Sequence, residues 1–175
     1  MNKTTPALGF TLIELLVVVS IILLTTGAGI ASFVNFNDRQ QVQTTVKGIQ
    51  GLMRSAQTKA RAGEGANDCG QTGTLLNKLK GYQVTSTATA VILNRICVRP
   101  DTGDVTSTTE RSRITLDTVT VSRSPSTTIT FLALRGGVDL GNNPAVTITV
   151  AGQYSNVSYQ FQVLNTGEIT EGAFQ

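Results

Sequence analysis

Residues 10–30 read FTLIELLVVVSIILLTTGAGI, and a single ionisable side chain, Glu14, interrupts them. As a helix rising about 1.5 Å per residue the segment would be about 31 Å long, close to the ~30 Å hydrocarbon core of a bilayer. That match makes residues 10–31 the expected transmembrane half of a longer helix. Ahead of it lies MNKTTPALG, residues 1–9, a polar stretch with Lys3 and Pro6 that is too short to fold and reads as a leader to be removed. A charged group in an inserted segment costs on the order of 2.5–3.5 kcal/mol. Glu14 therefore needs an explanation: it either lies near enough to the interface to reach water or meets a partner of opposite charge.

Its neighbours bear on that choice. Gly9 and Phe10 form a small-to-aromatic junction between the leader and the apolar run, and Glu14 stands fifth after Gly9. The stretch GFTLIELLVVVSIILL, residues 9–24, resembles the class III signal segment of type IV pilins and pseudopilins, in which a basic leader ends in Gly, Phe follows and Glu stands fifth after the cut. The resemblance implies cleavage between Gly9 and Phe10 by a prepilin peptidase and N-methylation of the new Phe10 amine. It also implies that Glu14 pairs with the amine of a neighbouring subunit during assembly. Opposite charges that are each costly in lipid offset one another when they meet at low dielectric, so Glu14 would set the register between subunits. The implied partners are other pilin or pseudopilin subunits, the peptidase, an inner-membrane assembly platform and membrane lipid. The implied location is a single pass through the bacterial inner membrane, with the remainder outside the cytoplasm.

Two other readings of this segment stay open. Lys3, the apolar run Leu12–Leu24 and the small residues before Ser32 also suit a secretory signal cut after Ala31, although Glu14 and the Gly9-Phe10 junction then go unexplained. An uncleaved single-pass anchor is the other. Either would leave an outward-facing binding module in place of a filament subunit.

Beyond the apolar run, Val42, Val46, Ile49, Met53, Ala56 and Ala60 recur every three or four positions, one stripe of an amphipathic helix. Residues 32–62 are thus the second half of the same helix, with Gly27 and Gly29 as candidate points of bending. GEGANDCGQTGT, residues 63–74, ends it. Residues 63–175 then carry short Val-, Ile-, Thr- and aromatic-rich segments at 81–86, 90–99, 113–122, 127–134, 145–150 and 157–164, which read as strands. Alternation is clearest in Ile129-Phe131-Ala133, Val146-Ile148-Val150 and Val157-Tyr159-Phe161-Val163, each implying one buried face. The expected fold is α+β, a long N-terminal helix packed on an antiparallel meander. The late strand, Arg135-Gly136-Gly137, two further strands and a turn at Asn165–Ile169 are similar to the H-type minor pseudopilin domain. The helix has no Pro, which major subunits of that superfamily often carry, and this points toward a minor subunit.

Charge does not dominate the chain: 14% of residues are charged, 14 basic against 11 acidic, and there is no His. The commonest general base and metal ligand are therefore missing, and no enzyme, cofactor or metal site is expected. Cys69 and Cys97 are an even pair in a segment expected outside the cytoplasm, where disulfides persist; the alternative is two buried thiols. Arg111, Arg113 and Arg123 could touch DNA phosphates, as in DNA-uptake minor pilins, but Glu110–Arg113 reads first as a solvated hairpin. Asp101-Thr102-Gly103-Asp104 offers too few carboxylates for calcium, and Asn156-Val157-Ser158 is a glycosylation sequon by pattern only.

Overall fold

The structure is a computed structural model and describes residues 10–134 and 137–175, with the backbone alone for residues 27–32. The expected leader with its Gly9 junction, and the Arg135-Gly136 pair, lie outside the described residues. Helix α1, Leu12–Ala62, is one element of 51 residues, about 76 Å long at 1.5 Å per residue. It passes Gly27, Gly29, Gly48 and Gly51 without a break. Its end is a Schellman arrangement: Gly63 takes a left-handed φ of 62°, its N–H donates to Ala60 O, and Glu64 N–H donates to Lys59 O. Lys59 and Arg61 in the last turn complement the helix dipole.

The second half of α1 packs as its stripe requires. Val42, Val46, Ile49, Met53, Ala56 and Ala60 are all buried, and Leu52 joins them. Among the described residues no helix is long and apolar enough to cross a membrane. The apolar run whose side chains are described, residues 12–26, is shorter than the roughly 20 residues such a crossing takes.

After a 3-10 turn, Ala66–Cys69, the strands are β1 (Gln71–Thr72), β2 (Leu75–Leu76), β3 (Lys78–Ser86), β4 (Ala90–Val98), β5 (Val105–Thr115), β6 (Val119–Ser124), β7 (Ile129–Leu132), β8 (Val138–Asp139), β9 (Ala145–Gly152), β10 (Ser158–Leu164) and β11 (Ala173–Phe174). They do not form one meander. A five-stranded sheet runs β5-β4-β3-β7-β8, a four-stranded sheet runs β11-β10-β9-β6, and β1 and β2 make a separate ribbon. Every paired strand is antiparallel. Tyr82, Leu93, Ile129 and Phe131 from the first sheet and Val146, Ile148, Phe161 and Val163 from the second share one core with α1.

The expected strand at 113–122 is corrected by this topology. The chain leaves the five-stranded sheet at Thr115, buries Leu116, whose N–H donates to Thr89 O, and re-enters the other sheet at Val119 to pair with β9. Most of β5 was not expected as a strand either. VTSTTERSRIT is polar on both faces because β5 is a sheet edge, and charged, Thr-rich edges resist further pairing.

Candidate assembly site

Helix α1 begins with a cap encoded in the sequence. Thr11 is extended, at φ −81° and ψ 150°, and its hydroxyl accepts from Glu14 N at 3.3 Å. Thr-Leu-Ile-Glu is the pattern of a capping box, in which the third helical residue is an acid. Glu14 thus sits where the positive end of the helix dipole favours a carboxylate. The Thr-x-x-Glu spacing is the sequence signal for this helix start, a local role for Glu14 beside the interfacial and assembly readings.

Along residues 10–26 every described side chain is exposed and all but Thr11, Glu14, Ser20, Thr25 and Thr26 are apolar, and Phe33, Val34 and Phe36 are exposed beyond them. Phe10 is 81% exposed and Leu24 76%, and the valines at 17–19 between them are about half exposed. A helix that is hydrophobic all round belongs in a membrane or in the interior of a bundle. Its polar side chains fit such surroundings. Ser20 donates to Leu16 O at 2.8 Å, Thr25 to Ile21 O at 2.9 Å and Thr26 to Ile22 O at 2.7 Å, so each hydroxyl is satisfied by its own helix and asks nothing of water.

Where the bare helix meets the domain, Asp38 is buried and its carboxylate accepts from Tyr154 N at 3.0 Å. This ties the β9–β10 turn to the helix. A lone Asp among Asn and Arg gave no sequence signal for that role.

The remaining candidates lie apart. Cys69 and Cys97 are joined by a disulfide with Cα atoms 5.5 Å apart, linking the 3-10 turn to β4. Beside it the buried Arg95 donates to Asp68 Oδ2 at 2.6 Å, and Arg111 reaches the same oxygen at 3.1 Å. These contacts, Arg95's first, hold the Asp68 carboxyl below its usual range. Arg113 is held by Glu110 through two hydrogen bonds of 2.9 and 2.8 Å along β5. Arg123 lies on the other sheet, half-buried, donating to Thr127 O at 2.7 Å. Each of the three arginines considered for DNA is thus already engaged, and they are split between two sheets. Asp101–Asp104 forms the β4–β5 turn, with Thr102 N bonded to Asp101 Oδ1 and Gly103 N to Arg99 O, and among the described residues no group of three or more His, Cys, Asp or Glu could hold a metal. Asn156 is exposed in the β9–β10 turn. Comparisons with protein-family models, with curated proteins and with solved structures return no match.

Proposed function

We propose that this chain is a structural subunit of a membrane-anchored helical filament, of the type IV pilus or type II secretion pseudopilus kind, and a minor subunit within it. The observation that carries the reading is the division of α1. One face of its second half is buried under two sheets, while residues 10–26, with Phe33, Val34 and Phe36, present a largely apolar surface left bare among the described residues. A surface of that extent calls for lipid before assembly and neighbouring helices after it. The Gly9-Phe10 junction gives the processing step: a prepilin peptidase removes residues 1–9 and the Phe10 amine is methylated. Glu14 then meets the amine of a neighbouring subunit, and the cost of holding each charge in lipid is offset by the other. The sheet domain lies outside the cytoplasm, where a Cys69–Cys97 bond persists. The role is architectural, and the inner-membrane platform and sister subunits are its partners.

The test is Glu14→Ala. The variant keeps the thermal transition of the domain and stays membrane-bound, while its incorporation into filaments, read by cross-linking and shearing, falls sharply. Unchanged incorporation would remove Glu14 from the account.

A further inference from the structure

Where the bare part of α1 ends, the domain carries an exposed aromatic collar. Phe33 and Phe36 on the helix are 69% and 60% exposed, and Tyr154 in the β9–β10 turn is 68% exposed. The turn is not free to swing away, because Asp38 holds the Tyr154 amide. Between helix and turn lies an open groove of about 530 Å³ lined by Asn35, Phe36, Arg39, Asn156 and Val157. Arg39 is exposed beside it, its guanidinium 4.6 Å from the centre of the Phe174 ring.

The helix sets the depth of this collar. At about 1.5 Å per residue, Phe33 lies about 35 Å and Phe36 about 39 Å along the axis from Phe10. The hydrocarbon core of a bilayer is about 30 Å thick and reaches about 40–45 Å with its headgroups. If Phe10 marks one face of the core, the opposite headgroup layer spans about 30–37 Å from it, and a helix tilt of about 20° places Phe33 at about 32 Å and Phe36 at about 37 Å, inside that layer. Aromatic residues collect at that depth, where their rings face the acyl chains and a tyrosine hydroxyl stays wet. A cation there meets lipid phosphate.

We infer that the collar is a second membrane contact, in which Tyr154, Phe33, Phe36 and Arg39 seat the sheet domain on the phospholipid headgroups of the membrane that holds α1. The inference rests on the reading of α1 as an inserted helix. It gives the domain a fixed pose before assembly, with the β9–β10 turn down and the far end of α1 pointing away from the bilayer.

The chain has no tryptophan, so Y154W and F36W each install a single fluorescent reporter at an exposed position. The full chain is reconstituted at low protein-to-lipid ratio in vesicles of phosphatidylethanolamine and phosphatidylglycerol. Both reporters are expected to shift to the blue, to be quenched by phospholipids brominated near the headgroup end of the acyl chains, and to lose quenching by aqueous iodide. L76W, on the ribbon beyond the far end of α1, stays open to iodide. L23W tests the underlying reading, because an inserted helix brings it within reach of the bromolipid. If L23W is quenched while Tyr154 and Phe36 reporters remain open to iodide, the collar is overturned and insertion stands. If L23W is not quenched, both fall. Shielding of Y154W that appears only as the protein-to-lipid ratio rises assigns the collar to a second copy of the chain and overturns the lipid contact.

Discussion

At Gly81 the backbone of β3 leaves no room for a side chain. Its φ is 154°, and a Cβ built there would run into the Phe131 carbonyl of the neighbouring strand. The pairing of β3 with β4 shifts register between Leu79 and Gly81, so the glycine is what lets the irregular strand keep both neighbours. Gly81→Ala is expected to cost at least about 1–3 kcal/mol from backbone strain alone, read as a lower denaturant midpoint for the sheet domain. Asp68 makes a different residue-scale prediction. Its carboxyl titrates below the ordinary value of 3.8, first because of Arg95 and then because of Arg111. A folded-state value below the unfolded one means that the pairing stabilises the protein above the ordinary carboxylate range, and that the contribution is lost as pH falls through the lower, folded value. Asp68→Asn should therefore lower stability at neutral pH and flatten the acid limb of the stability profile. An acid limb unchanged by the substitution would show that Asp68 carries none of it.

Among the elements, the segment between α1 and β3 depends most on cross-links. The 3-10 turn is tied to β4 by the disulfide, with Arg95 donating to Gly65 O and Asp68 O beside it. Closing a loop of 28 positions constrains the unfolded chain by roughly 3–4 kcal/mol. The Cys69→Ser, Cys97→Ser double variant should lose about that much in chemical denaturation. The strands with one buried face could be read from the sequence because their period of two is unbroken, as in Val146-Ile148-Val150 and Phe161-Val163, all buried. The helix stripe was readable for the same reason at a period of three to four. What could not be read is where alternation carries no information. In β5 neither face is dry, and at Leu116 one continuous Val- and Thr-rich run serves two sheets, so the exchange is decided by tertiary pairing rather than by local pattern. The site divides in the same way: Glu14 and Thr11 lie within one turn and their spacing is visible, whereas Asp38 and Tyr154 are 116 positions apart.

For the whole molecule, the fold separates two tasks along one helix. Residues 42–60 hold the domain together through a shared core, and the described apolar side chains before them are not part of it. Changes on the bare half should therefore alter where the protein resides and what it assembles with, and leave the stability of the domain untouched. The separation explains how a carboxylate at position 14 can be kept in so apolar a helix: it sits in the first turn, where the helix dipole favours an acid, and, in the proposed filament, is neutralised by a neighbour's amine. The most direct test of that account is the intact mass and N-terminal sequence of the protein recovered from membranes of a cell that carries a prepilin peptidase. The account predicts a chain beginning with N-methylated Phe10. A chain beginning at Met1 or at Ser32 would contradict it.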